Sequence, residues 1–200
     1  MSRDSMPPQG ATLDEILLNH ELDSRFNGRP RYPDEADLLL EMVQNIAPQP
    51  QAALQRLVES VLSATQADGA GVSLLDEEGG QTVFRWVATA GEARPLLGQT
   101  MPRHGSPCGE VLARNGVLLM REPGRHYASV QVLGQPLQEV LLAPIHRDAE
   151  PVGTLWVLSS TGHHRFDAED ARLLQSLAAL ASETGDLFER LSFGNSSYLS

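Results

Sequence analysis

The sequence predicts an α+β domain: a central antiparallel sheet with helices on one face and loops with short helices on the other. Two observations lead to this prediction. Apolar residues recur at helical spacing near both ends of the chain, whereas the middle, from Asp68 to Ser159, shows the alternation that is typical of strands. In the last predicted strand, Leu155 and Val157 face one side and Trp156 faces the other. Because both faces of the sheet are apolar, each requires a cover.

Helical patterns come first along the chain. Thr12 and Glu15 form a capping-box pattern ahead of a short helix with Leu13, Ile16 and Leu17. Two further helices are predicted over 34–46 and 51–66, with prolines forcing a break between them. The first ten residues are polar and contain proline, so residues 1–33 are expected to be an N-terminal arm, partly disordered with one short helix.

Strands follow from residue 70 onward. Two strands over 70–75 and 82–89 flank Glu77-Glu78-Gly79-Gly80, whose glycines can adopt the positive φ of a hairpin turn. A short strand over 117–120 and a second hairpin, with strands over 137–145 and 152–159, complete the predicted sheet.

The C-terminal helix begins after Asp167, a credible N-cap, and carries two apolar stripes. One stripe has spacings of four and three and consists of Leu173, Leu177, Leu180, Leu187 and Leu191, interrupted only by Thr184. The other stripe contains smaller residues. One stripe can pack on the sheet and leave the other for a partner helix, which predicts a homodimer. Equally, both stripes can belong to the core. The main domain is therefore predicted over 34–191, with a flexible tail over 192–200.

The only cysteine lies in a short predicted helix between the two hairpins. Ser106 is suited to cap this helix, Pro107 fits its first position, and Cys108 falls in the first turn. Asn115-Gly116 is typical of a left-handed helix end. Unpaired N–H groups in a first turn favour an anion or a thiolate, so this helix is the predicted edge of a ligand pocket.

Composition excludes several classes of protein. A net charge of −11, with the 15 Lys and Arg residues scattered, argues against a nucleic-acid partner. A single cysteine cannot form an intramolecular disulfide and suits a reducing compartment. No stretch reaches the roughly 18 apolar residues of a membrane span. We therefore expect a cytoplasmic protein with no membrane partner.

Several segments together resemble the GAF domain family, in particular the GAF domains in the sensory region of bacterial histidine kinases that also carry PAS domains. The residues that carry the resemblance are Ala67-Asp68-Gly69-Ala70-Gly71-Val72-Ser73-Leu74-Leu75, Ser106-Pro107-Cys108-Gly109, Leu141-Leu142-Ala143-Pro144-Ile145, Pro151-Val152-Gly153-Thr154-Leu155-Trp156-Val157 and Arg165-Phe166-Asp167-Ala168-Glu169-Asp170. The resemblance implies a sheet of five to six strands, terminal helices on one face, a ligand pocket on the other, and a parallel dimer. It does not imply one particular ligand.

The candidate ligand-binding residues lie around the predicted pocket helix and the loop that follows. Arg103 and Arg125 could hold an anionic group, because a guanidinium offers a planar fork of donors. The full candidate set is Arg103, His104, Ser106, Cys108, Arg125, His126 and Tyr127. Spacing alone does not predict a metal site from His104, Cys108 and His126, and solvated loop histidines are the simpler interpretation.

The cofactor stays unknown, and neither a bilin nor haem is favoured. GAF-type photoreceptors usually have histidine directly after the attachment cysteine, where this chain has Gly109. The GAF-type reductases of free methionine sulfoxide need a second cysteine for intramolecular turnover, and Cys108 is the only one. A redox-sensing thiol, with a pKa lowered by the helix N-terminus, Arg103 and His104, remains an alternative.

No hydrolase, P-loop, kinase or zinc-protease motif is present, so the chain is not expected to be an enzyme. The predicted function is a stand-alone sensory module that binds a small molecule and signals through helix-mediated dimerisation or a partner such as a histidine kinase. This expectation includes an output on another chain, because no output domain follows Leu191. The alternatives are a redox sensor or thiol enzyme that acts through Cys108, and a ligand-free dimerisation scaffold.

Overall fold

The computed structural model describes residues 10–26, 28, 50–134 and 136–183. The predicted helix over 34–46 lies outside these residues, as do Leu187 and Leu191. The α-helices of the described part are α1 (Leu13–Ile16), α2 (Leu22–Arg25), α3 (Pro50–Thr65), α4 (Pro107–Arg114) and α5 (Ala168–Glu183). Short 3₁₀ helices lie between them, including Pro123–Arg125 and Ala128–Leu133.

Six antiparallel strands form one sheet in the order β3-β2-β1-β6-β5-β4. They are β1 (Gly69–Glu78), β2 (Gln81–Gly91), β3 (Thr100–Pro102), β4 (Leu118–Arg121), β5 (Glu139–Arg147) and β6 (Glu150–Ser159). The α+β fold and both predicted hairpins are confirmed. Edge strand β3 was not predicted, because three residues that end in a proline give no recognisable strand pattern.

The sheet separates two apolar clusters, as the alternation in its last strand predicts. Leu155 and Val157 of β6 belong to the cluster under α3 and α5. Trp156 and Leu158 belong to the cluster on the opposite face, together with residues of α4 and of the loop layer. Each face is therefore covered, one by two long helices and the other by short helices and loops.

The C-terminal helix uses both of its apolar stripes inside the domain. Leu173 and Leu177 are 1% and 0% exposed within the helix-side cluster, and Leu180 packs against that cluster. Leu174 and Ala178, from the second stripe, are buried in the same cluster. This corrects the predicted dimer seam at Leu173 and Leu177, because the domain's own sheet and α3 occupy the surface that a partner helix would need.

Residues 10–26, which we call the strap, pack against β4 and the loop-side cluster. The backbone N–H of Leu18 donates to the carbonyl of Leu119 at 2.8 Å, and Leu17 forms an isolated β-bridge with Met120. The Asn19 side chain makes two hydrogen bonds at the start of β4. It donates to Val117 O at 2.7 Å and accepts from Leu119 N at 3.0 Å. This part of the predicted arm is thus folded onto the domain, where it buries Ile16 and Leu18.

Candidate functional site

Helix α4 begins as the sequence predicts. The hydroxyl of Ser106 accepts a hydrogen bond from the backbone N–H of Gly109 at 3.2 Å, and Pro107 occupies the first helical position. Asn115 ends the helix in the left-handed conformation, with φ of 49°. A side chain at Gly109 would collide with the carbonyl of Arg103, so this glycine allows the preceding loop to lie close to the helix. The first turn of α4 therefore faces the sheet.

A cavity of about 40 Å³ lies between the first turn of α4, the sheet and the loop layer. It is lined by Trp86, Met101, Pro107, Cys108, Pro123, Val130, Leu137, Val140, Leu142, Trp156 and Leu158. None of these residues carries a charge. Since one water molecule needs about 10–15 Å³ by a comparable measure, the cavity can hold a molecule of only a few heavy atoms unless its walls move.

Two tryptophan side chains form part of the cavity wall. Trp86 is 2% exposed and Trp156 is 4% exposed. The indole N–H of Trp156 donates to the hydroxyl of Ser73 at 2.8 Å, which fixes the orientation of its ring. Gly71 leaves the space that this ring occupies, because a Cβ atom there would overlap the indole. The shape of the wall thus depends on a glycine and a serine of the neighbouring strand β1.

Cys108 is buried in a small polar cluster at the cavity. The Thr154 hydroxyl donates to its sulfur at 3.3 Å, and its thiol lies 3.9 Å from the hydroxyl of Ser73. Burial raises the pKa of the Cys108 thiol, and its hydrogen bonds with Thr154 and Ser73 oppose this shift only in part. The alternative of a lowered thiol pKa is therefore wrong in direction. Its proposed charged neighbours, Arg103 and His104, are exposed to solvent instead.

Folded protein is expected to react with a thiol reagent such as DTNB on the order of 100-fold more slowly than unfolded protein at pH 8, because Cys108 is inaccessible and its thiolate is disfavoured. The rate of absorbance change at 412 nm measures this difference. Unfolded protein in urea provides the control with the same single thiol. Equal rates in the two states would show that Cys108 is exposed and reactive.

Most of the predicted ligand-binding residues lie away from the cavity. Of the seven, only Cys108 is part of its lining. Ser106 is buried as the helix cap, and Arg125 forms an ion pair with Glu122 at 3.2 Å. Tyr127 is buried, and burial raises its pKa to about 12. His126 is exposed, with its Nδ1 atom 2.7 Å from the carbonyl oxygen of Ala11 in the strap.

The aromatic wall of the cavity is not among the features predicted from the sequence. Trp86 and Trp156 were interpreted only as strand residues, although their position on the face opposite the long helices places them beneath the loop layer. The alternation in β6 was the available signal for Trp156. No sequence signal indicates the contact of Ser73 with Trp156, which joins residues 83 positions apart.

Within the described residues, no group of three or more His, Cys, Asp and Glu side chains is arranged to hold a metal ion. In the same part of the chain, no helix combines the length and apolar character needed to cross a membrane.

A six-stranded antiparallel sheet with helices on one face and a loop layer over a cavity on the other is the architecture of a class of small sensory domains. The sequence model of the GAF domain family matches residues 47–184, and the chain belongs to this family. The family is known for modules that bind small molecules. Among curated proteins, none matches the sequence closely enough to count as a relative.

Solved structures support the fold. The GAF domain of a phosphoenolpyruvate-protein phosphotransferase from Coxiella burnetii is 22% identical, with a TM-score of 0.67 over 82% of this chain and 99% of that chain. A free methionine-R-sulfoxide reductase from Neisseria meningitidis, in complex with its substrate, is 18% identical, with a TM-score of 0.62 over 84% and 97%.

A third structure is the GAF domain of a putative sensor histidine kinase from Pseudomonas syringae pv. tomato. It is 23% identical, with a TM-score of 0.52 over 80% of this chain and 90% of that chain. At these identities the comparisons show a shared fold and not a shared activity, and the fold occurs in both sensors and enzymes.

Proposed function

We propose that this protein is a cytoplasmic sensory module that binds a small, uncharged and mainly apolar molecule in the cavity beneath α4. In this proposal, the module transmits occupancy through its helices to a signalling partner and catalyses no reaction. The observation that carries the proposal is the lining of the cavity, in which eleven residues include two tryptophans and no charged side chain. A homodimer remains part of the proposal, through surfaces other than Leu173 and Leu177.

The lining argues for an uncharged ligand. Moving a charged group into an apolar site without a partner costs several kcal/mol or more. Arg103 is exposed and Arg125 is paired with Glu122, so neither offers a charge inside the cavity. The anionic groups of haem, bilins and cyclic nucleotides find no such partner among the residues that line the cavity. We infer that none of them is the ligand.

Two hydrogen bonds provide a route from the pocket helix to α5. The Nε2 atom of His146 lies 2.6 Å from the side-chain oxygen of Asn115, the residue that ends α4. The backbone N–H of His146 donates to the hydroxyl of Ser182 near the end of α5, at 2.8 Å. A ligand that shifts α4 therefore changes the surroundings of α5. This supports signal transmission as a shift between two packed states.

The thiol-enzyme alternative is disfavoured by Cys108 itself. It is the one nucleophilic side chain in the cavity lining, and burial raises the pKa of its thiol. The chain contains no second cysteine that could resolve an oxidised sulfur within the same molecule. These observations support a binding function over a catalytic one.

The small size of the cavity favours a second candidate, a domain that binds no ligand and serves as a scaffold. Most of the loop-side face is filled by its own side chains. The two candidates differ in one testable property. A ligand-binding cavity accepts an apolar molecule reversibly, as dry apolar cavities of sufficient size do, whereas a scaffold binds none.

Both tryptophans of the chain line the cavity, so their fluorescence reports its occupancy. Titration with xenon gas, whose single apolar atom suits a cavity of about 40 Å³, is expected to give a saturable fluorescence change and a higher Tm, whereas cyclic AMP gives neither. Val130→Phe, which fills the cavity from the loop layer, is expected to abolish the response. Leu97→Phe is the matched control, because Leu97 is 53% exposed and lies outside the lining.

Two outcomes would contradict the proposal. Saturable binding of cyclic AMP would show that the site accepts a charged ligand. Absence of any xenon response in both the wild-type protein and Leu97→Phe would favour the scaffold.

A further inference from the structure

Arg25, at the end of α2 in the strap, is held by a dense set of hydrogen bonds. Its guanidinium donates to both carboxylate oxygens of Glu139, each at 3.0 Å, and to Glu21 at 2.8 and 3.1 Å. It also donates to the carbonyl oxygen of Phe166 at 3.0 Å. The side chains of Arg25 and Glu139 are only 8% and 6% exposed. This pair is therefore a buried, bidentate ion pair between the strap and the sheet.

Glu139 connects the strap to the cavity and to α5. It is the first residue of β5 and precedes Val140, which lines the cavity. Its carboxylate also accepts a hydrogen bond from the backbone N–H of Phe166 at 3.3 Å. Phe166 precedes Asp167, the residue whose side chain caps α5. Arg25 thus joins the strap, the cavity wall and the start of the C-terminal helix.

The other end of the strap is attached to the cover of the cavity. The backbone N–H of Gly10 donates to the carbonyl of Arg125 at 3.3 Å, and the carbonyl of Ala11 contacts the His126 ring. Arg125 ends the 3₁₀ helix that begins at Pro123, a residue of the cavity lining. Between these two attachments, Ile16 is buried in the same cluster as Trp86 and Trp156. The strap therefore runs from the loop cover at Arg125 and His126, along edge strand β4, to Glu139 at the start of β5.

The strap precedes the residues that the family model matches, which begin at residue 47. We propose that the strap is a latch that holds the cavity cover closed, with the Arg25–Glu139 pair as its lock. Leaving either charge buried without the other is unfavourable, which makes docking of the strap close to all-or-none. When the latch opens, Glu139 becomes solvated and the loop layer over the cavity loosens.

The latch also implies whether a ligand favours the docked or the released strap. This consequence rests on the proposed function. A molecule too large for the space beneath the cover displaces the cover, so it binds the unlatched state more tightly. By reciprocity, such a ligand releases the strap by the same factor by which strap release improves its binding. The latch itself can be tested without any ligand.

The experiment compares hydrogen exchange and acrylamide quenching of tryptophan fluorescence in the wild-type protein, Arg25→Ala and Asn19→Ala. Asn19→Ala removes the two side-chain hydrogen bonds between the strap and β4 without leaving a buried charge. It therefore tests the latch even if Arg25→Ala folds poorly. In both variants the Leu18 amide is expected to exchange about 10-fold faster or more, while amides of α3 keep their protection. Acrylamide quenching of Trp86 and Trp156 is expected to rise together with the exchange rate of the Leu18 amide.

Arg165→Ala is the matched control. Arg165 is an exposed member of the same cluster, 3.0 Å from Glu21 and 3.9 Å from Glu139. Because its side chain is 57% exposed, its loss is expected to leave exchange and quenching unchanged. Faster exchange of the strap with unchanged quenching would overturn the latch, because the cover would then be independent of the strap. Unchanged exchange in both strap variants would overturn it as well. Because this experiment contains no ligand, a failure of xenon binding would overturn the proposed function and leave the result on the latch unaffected.

Discussion

Replacing Trp156 with alanine is expected to lower the free energy of unfolding by about 3–5 kcal/mol, the usual range for truncating a fully packed large aromatic residue. Trp156 is 4% exposed, packs in the loop-side cluster and lines the cavity. Its removal also deletes the indole N–H that donates a hydrogen bond to the hydroxyl of Ser73. Urea unfolding followed by circular dichroism at 222 nm measures the change without relying on tryptophan fluorescence.

Trp156→Phe provides the control for this prediction. It keeps most of the ring volume and loses the hydrogen bond to Ser73, so a loss of only about 1–2 kcal/mol is expected. A second consequence distinguishes packing from a general defect: the space left in Trp156→Ala is expected to bind benzene more tightly than the wild-type cavity. A stability loss below about 1 kcal/mol in Trp156→Ala would show that the indole is not packed as described.

Arg25→Ala is expected to lower the free energy of unfolding by about 3–5 kcal/mol, because it leaves Glu139 without its buried partner. The double variant Arg25→Met/Glu139→Leu removes both charges and keeps similar volume, so it is expected to recover most of this loss. Equilibrium urea unfolding of the single and double variants measures both effects.

Arg172→Ala is a suitable comparison for the effect of an ordinary ion pair. Arg172 pairs with Glu169 at 3.0 Å within one helix and is partly exposed, so the pair is expected to contribute about 0–1 kcal/mol. If Arg25→Ala loses no more stability than Arg172→Ala, the buried pair does not hold the strap. If the double variant is as unstable as Arg25→Ala, the loss reflects the packing of Arg25 and not the stranded carboxylate.

Local rules predicted much of the framework because the signals lie close together in the sequence. Ser106 and Asp167 cap their helices through backbone N–H groups two or three residues away. Gly79 and Gly80 have the positive φ that their hairpin turn requires. Alternation in β6 placed Leu155 and Trp156 on opposite faces of the sheet.

The site was harder to predict because its contacts join distant residues. Arg25 is not among the candidate residues predicted from the sequence, and its partner Glu139 lies 114 positions further along the chain. The candidate ligand residues were chosen for their charge and their place near Cys108. The structure instead surrounds the cavity with apolar side chains and directs Arg103 and His104 to the surface. Charge and proximity in sequence do not determine which side of a loop faces the sheet.

The two stripes of α5 illustrate the same limit. A leucine seam with heptad spacing is compatible with a partner helix or with the domain's own core. Here the sheet has an apolar face wide enough to cover both stripes, so Leu173 and Leu174 are buried in one cluster. The spacing alone could not decide between these outcomes, because it says nothing about the width of the surface that receives the helix.

The most direct test of the central claim is a native mass spectrum, recorded with an absorption spectrum, of the protein purified from its own host before any dialysis. We expect a bound species of low mass and no net charge, no visible absorption band, and loss of that species in Val130→Phe but not in Leu97→Phe. A visible band, a bound nucleotide mass, or retention of the species in Val130→Phe would contradict an uncharged ligand in the cavity beneath α4.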